Sequence, residues 1–241
     1  MLLLIVGCTS QSMSAKRPIR ALLVTGGCCH NYPFQTACLT NAMSRHAPVQ
    51  WTLVQEGGTG TRAEIPLYTN PQWARGYDVV VHNECFADTK SPKYIRQITS
   101  AHHAGVPAVV IHCAMHTYRA TEIHDWREFL GVTSRRHDHM SRYPVKKVQP
   151  NHPIVRPIPD NWVTPKDELY IIEKASPNMV PLATSTSERD AQSQPVIWVN
   201  QYGKARVFGT TYGHSDDTFA DPVFIDYVCR GLLWSVGSLG N

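Results

Sequence analysis

Short apolar runs alternate along the chain with segments whose apolar residues recur at helical spacing, and this alternation predicts most of the elements. The run IRALLVTGG (19–27) is apolar and closed by two glycines, the pattern of a buried strand entering a tight turn. Across FQTACLTNAMSRH, the residues Phe34, Ala37, Cys38 and Met43 fall at roughly helical spacing. VQWTLVQE (49–56) and YDVVVHNE (77–84) predict two further strands. Ser91-Pro92 provides a cap with proline in the first turn, and Ile95, Ile98 and Ala101 line one face of the following helix. VPAVVIH then predicts a fourth strand. Strands separated by helices of this length imply βαβ units and a parallel sheet, because parallel neighbours need a crossover.

After His139 the texture changes. HPIVRPIPDNWVTPKDELY carries Pro153, Pro157, Pro159 and Pro165 and predicts extended loop. ELYIIEKA, VPLATST, QPVIWVNQ and ARVFGTTY read as strands, with a glycine turn in QYGKARV joining two of them. In the closing DPVFIDYVCRGLLWSVG, Asp221 caps, Pro222 starts, and Phe224, Ile225, Val228, Cys229 and Leu232 share a helical face that Gly237 ends. No repeat, low-complexity tract or linker interrupts residues 19–238, so one α/β domain with a mostly parallel central sheet is expected.

Residues 1–18 stand apart. Their apolar start is too short to span a bilayer and has no positively charged lead-in. Ile5-Val6-Gly7-Cys8, followed by Thr9-Ser10-Gln11-Ser12, nevertheless resembles a bacterial lipobox with a polar tether. Two readings stand side by side. A lipidated Cys8 would attach the protein to the membrane of the cell envelope on the periplasmic side; a disordered tail or misplaced start would leave it cytoplasmic.

Composition narrows the function classes. The formal net charge of +4 is spread thinly, with Arg135-Arg136 and Lys146-Lys147 its longest clusters, and no basic stripe alternates with aromatics. Nucleic acid is therefore not an expected partner. Seven cysteines include no C-x-x-C pair, and most sit in apolar stretches where a thiol acts as a small hydrophobe; no disulfide framework is expected. The twelve histidines are many for 241 residues and need placing.

Their positions are the main clue to chemistry, because ligands collect outside the C-terminal ends of parallel strands. The first strand ends in Cys28-Cys29-His30, the third in His82-Asn83-Glu84-Cys85, and the fourth in His112-Cys113-Ala114-Met115-His116. A later strand ends in Gly213-His214. The fourth strand end reads as a catalytic elbow, as half of a metal site, or as a strand meeting a loop. His116 lies four residues beyond His112, so one helical turn would put both imidazoles on one face. Glu84 suits a general base, a ligand or a surface carboxylate. For Cys85 and Cys113 packing is favoured over a nucleophile's role. In RRHDHMSRYP, the trio His137, Asp138 and His139 reads more readily as solvated loop than as a relay. Asp167 and Glu168 either reach the site or only precede a strand.

The order of the pieces carries further information. ALLVTGGCCH, YDVVVHNE, GVPAVVIHCAMHTYR, HDWREFLG, NHPIVRPIP, DELY and GKARVFGTTYGHSDDTFADPVFIDYVCRGLLWSVG together resemble the trehalose-utilisation (ThuA-like) family, from Ile19 to Gly237. The resemblance implies a class I glutamine amidotransferase-like fold, a flavodoxin-like three-layer sandwich. In amidotransferases the fourth-strand elbow holds a cysteine nucleophile; PAVVIHCAMH puts His112 there and Cys113 one position late, so glutamine hydrolysis is not expected. What the resemblance implies instead is sugar metabolism, with family members linked to oxidised (3-keto) glycosides.

On that reading His112, His116 and Glu84 do acid/base chemistry, while His30, His82, Asn83, Tyr118, Asp167 and His214 line the substrate. A divalent metal would sit on His112, His116 and His30, and no nucleotide cofactor is expected. A sugar or glycoside is the expected partner, and a homo-oligomer stays open. Two other readings remain: a non-catalytic carbohydrate-binding or structural relative, and a thiol hydrolase using Cys113 or Cys85.

Overall fold

The computed structural model describes residues 17–240. The lipobox-like segment around Cys8 lies outside them. Five parallel strands form the heart of the main sheet: β1 (Ile19–Gly27), β2 (Val49–Gln55), β3 (Val79–Cys85), β4 (Ala108–Ile111) and, far along the chain, β10 (Ala205–Thr210). Antiparallel β9 (Ser193–Tyr202), β8 (Val180–Thr186) and the two-residue β6 (Lys146–Lys147) extend it, giving the order β2-β1-β3-β4-β10-β9-β8-β6. The expected α/β fold with a mostly parallel central sheet is what the chain adopts.

The central strands β1, β3 and β4 are buried on both faces, as their unbroken apolar runs require. Alternation splits the side chains between two cores. Leu23, Val79, Val81, Val109 and Ile111 pack with α1 (Tyr32–Met43) and α5 (Pro222–Ser235); Leu22, Val24, Val80, Ala108 and Val110 pack with α2 (Pro92–His103) and α3 (Asp125–Leu130). The capping signals act as read: Ser91 accepts from the Tyr94 amide, and the Asp221 carboxylate accepts from the Val223 and Phe224 amides. In α1 the buried set is Tyr32, Gln35, Leu39, Ala42 and Met43, rotated from the expected face, so that Phe34 and Cys38 are only partly covered.

Two sequence expectations fail. RRHDHMSRYP is not solvated loop: β5 (Val132–Ser141) pairs antiparallel with β7 (Asp167–Ala175) in a separate two-stranded sheet. Repeated register shifts in that pair hide the period-2 signal a strand normally shows. The cysteines also differ from expectation, since Cys28 is joined to Cys29 and Cys85 to Cys113 in disulfides. The neighbouring parallel strands β3 and β4, ending side by side, bring Cys85 and Cys113 together, whereas Cys28 and Cys29 are consecutive in the chain.

Candidate metal and acid/base site

His30, His112 and His214 converge from three different strand ends. Each offers a ring nitrogen, and the three nitrogens lie within 4.8 Å of one another. The ring centroids are 5.0 Å apart for His30 and His112, 4.9 Å for His30 and His214, and 5.4 Å for His112 and His214. Backbone geometry makes the convergence possible. His112 has φ 45°, a left-handed conformation that costs a non-glycine residue free energy, and it breaks β4 sharply into a 3-10 turn (112–115). Gly213 has φ 130°, open only to glycine, and it aims the next residue back over the same strand end.

The hydrogen bonds fix how each imidazole is presented. The Nδ1 of His112 lies 2.6 Å from the Thr211 carbonyl and must donate to it, which leaves the Nε2 lone pair free. The Tyr170 hydroxyl, 3.2 Å away, donates to that lone pair. His30 repeats the pattern: Nδ1 faces the His214 carbonyl at 3.3 Å, while its buried Nε2 has no partner. Burial holds both imidazoles neutral, His30 at about 4 and His112 well below the ordinary value, with the other histidines adding to the effect.

The carboxylate of this site is Glu168, on β7. Its Oε2 lies 3.3 Å from His214 Nδ1 and 3.6 Å from His112 Nε2, and its Oε1 lies 3.6 Å from His137 Nε2. His214 faces it as an ion-pair partner, off the line of a hydrogen bond. Proximity to Glu168 raises His214, the opposing effect of burial being smaller. Burial alone would raise Glu168, but His214, His137 and His30 outweigh it and keep its pKa below the usual value. Glu168 is 12% exposed and His214 28%, so this side of the site opens to solvent.

Asp167 points to the opposite face of β7 and serves as scaffold. It accepts from the amides of Gly213 and His214, from its neighbour's amide and from the Thr218 hydroxyl. Burial pushes its carboxyl up to about 6. Asn83 is likewise a brace: it donates to Gln35, which in turn donates to the Gly213 carbonyl. Both side chains, expected to line the substrate, are engaged in these internal hydrogen bonds.

Four other expected site residues fall elsewhere. His116 does not join the imidazole cluster, because the turn after His112 is 3-10 rather than α-helical. It stacks on Tyr170 at 3.9 Å and reaches Ser134, one layer behind His112. Glu84 and His82 occupy the other face of the sheet by strand alternation. There Glu84 meets His82 at 2.8 Å, and His82 meets His102 at 3.0 Å, all three buried. Tyr118 packs on that same side against Tyr94 and Trp126. Tyr170 was missed as a site member, and Glu168 was left open between reaching the site and only preceding a strand. The DELY block held both, but nothing in its spacing said which face would look inward.

The residues present fit a divalent metal. Three imidazoles with converging nitrogens, two of them with an orphaned ring nitrogen, and a carboxylate alongside make a mixed nitrogen and oxygen donor set. The partners of the His112 and His30 Nδ1 atoms are the outer hydrogen bonds that orient metal-binding histidines. A cleft of about 810 Å³ elsewhere, between Arg127, Glu173 and Tyr202, contains none of the three imidazoles.

Comparisons with known proteins agree with the architecture. The chain is similar to a ThuA-like protein of Parabacteroides merdae, at 19% identity and a TM-score of 0.76 over 93% of this chain and 92% of that one. It is similar to a ThuA-like protein of Bacteroides uniformis, at 15% identity and a TM-score of 0.69 over 94% and 95%. A β-galactosidase of Rahnella shares the fold over 90% of this chain but only 31% of its own, at 13% identity and a TM-score of 0.56. At these identities the likeness shows the fold alone. No curated protein matches. The family model for ThuA, described as trehalose utilisation, matches residues 20–235, and the chain belongs to that family.

Proposed function

We propose that the protein is an enzyme of sugar metabolism acting on 3-keto glycosides or disaccharides, with His30, His112 and His214 holding a divalent metal and Glu168 moving the proton. The observation that carries this reading is the convergence of three imidazole nitrogens within 4.8 Å beside a carboxylate. A ketone at C3 acidifies the C2–H bond. Glu168 takes that proton, the electron pair forms the enolate, and the C1–O bond breaks to release the linked sugar, whose oxygen is protonated from solvent. A divalent cation, when bound, supplies Lewis acidity where negative charge grows on the ketone oxygen. His112 and His30 stay neutral as ligands must, and His214 is held toward Glu168. The role expected of Glu84 thus passes to a carboxylate on a different strand. Glutamine hydrolysis and thiol catalysis have no support, because Cys113 is bonded to Cys85.

The test is a 3-keto disaccharide carrying deuterium at C2, incubated with metal-loaded protein. Release of the linked sugar with transfer of the label to water is expected, and His112→Ala should abolish both. Binding of the sugar without release, for every divalent metal tried, would instead favour a carbohydrate-binding protein.

A further inference from the structure

Beside the imidazoles, the same strand ends deliver a second donor group. Cys28 and Cys29 follow β1 and β3 closes with Cys85, while Cys113 sits in the turn after β4. The two disulfides abut, with Cys28 Sγ 3.7 Å from Cys85 Sγ. Sulfur atoms of Cys28, Cys29 and Cys85 all lie within 4.8 Å of one another, and Cys85 and Cys113 stand equally close to a nitrogen of His30. Cys29 is exposed, Cys28 half-buried, and Cys85 and Cys113 buried, so the array runs from the surface inward. Gly27 explains the close approach. Its φ is 97°, and a Cβ there would collide with the Cys85 carbonyl, so only glycine lets the end of β1 press on the end of β3.

We propose that Cys28, Cys29, Cys85 and Cys113, once reduced, form a thiolate site for a thiophilic d10 cation, Zn²⁺ or Cu⁺, next to the imidazole site and distinct from it. Soft thiolates favour these ions. With metal–sulfur bonds of about 2.3 Å, tetrahedral thiolates sit roughly 3.8 Å apart, and the Cys28–Cys85 separation is 3.7 Å. The other sulfurs must move apart from their bonded partners, which reduction permits. Each disulfide takes two electrons and two protons, from a phosphine and water that become phosphine oxide, and the thiols then release their protons to buffer as sulfur–metal bonds form. The site is closed in an oxidising compartment and open in a reducing one.

The test uses Cys8→Ser/Cys38→Ser protein, which removes two of the remaining thiols; the third, Cys229, is buried. The protein is reduced with a phosphine, freed of it anaerobically and titrated with Cd²⁺ as the probe. A thiolate-to-cadmium charge-transfer band saturating at one ion per chain is expected. The band should be absent without reduction, lost in Cys85→Ser and retained in His30→Ala, which separates this site from the imidazoles. Its quenching by stoichiometric Zn²⁺ or Cu⁺ identifies the preferred ion. No band in the reduced protein, a band that survives Cys85→Ser, or loss of the native circular dichroism on reduction would each overturn the proposal.

Discussion

His112 Nδ1 lies 2.6 Å from the carbonyl oxygen of Thr211, so the residue that follows β4 is locked by hydrogen bonding to the residue that follows β10. That bond selects the tautomer and turns Nε2 toward His30 and His214. Removing the imidazole should therefore empty the metal site without unfolding the sheet. We expect His112→Ala to weaken divalent-metal binding by more than ~100-fold, beyond the loss usual for an outer-shell partner. His116→Gln should leave the stoichiometry unchanged, because His116 stands behind Tyr170. Equilibrium dialysis with metal analysis distinguishes the two; equal losses would show that His116 is a ligand after all.

Tyr170 donates to the lone pair that a metal would use on His112. Tyr170→Phe should thus tighten metal binding by about 2- to 10-fold, the worth of one ordinary hydrogen bond. Competition against a chelator of known affinity reads the change, and weaker binding would place the hydroxyl among the groups that stabilise the ion.

Asp167 holds the Gly213–His214 turn through two amides and reaches Thr218 beyond it. In Asp167→Asn a side-chain NH₂ must confront buried donors, at a cost of about 1–3 kcal/mol. Urea unfolding should show that loss, together with weaker metal binding as His214 moves. Unchanged affinity would mean that His214 contributes nothing to the site.

Asp138 contributes to the acid sensitivity. Burial favours its neutral form, but amides of His139, Glu188 and Arg189 and the Ser187 hydroxyl outweigh that and hold it at about 2, against an unperturbed 3.8. A depressed carboxyl contributes stability that is present above the unfolded value and is lost as the pH falls through the folded one. About 2 kcal/mol should disappear between roughly pH 4 and pH 2. Asp138→Asn should lack this component of the acid limb in urea titrations, and an identical acid limb in the variant would remove Asp138 from the account.

Much of this was legible in the residues. Strands β1 and β8 match the apolar runs IRALLVTGG and VPLATST, and the placement of His30, His112 and His214 at strand ends was enough to expect one site. Spacing failed where geometry departs from its own period. His112 and His116 would share a face only in an α-helical turn, and the chain takes a 3-10 turn instead. In HisAsnGluCys, alternation sends Glu84 away from the cluster, a consequence that depends on which face of β3 looks toward α1. Glu168 was obscured for the same reason, since neighbouring Asp167 and Glu168 occupy opposite faces and only the fold assigns them. The β5 strand hid behind bulges and charge.

The most direct measurement is anomalous diffraction from crystals of the protein soaked in a divalent metal, with data taken on both sides of its absorption edge. The account predicts a peak within coordination distance of His30 Nε2, His112 Nε2 and a His214 ring nitrogen, with Glu168 alongside. A metal peak on other residues with these three imidazoles left empty, or none in crystals whose protein retains the fold, would contradict it.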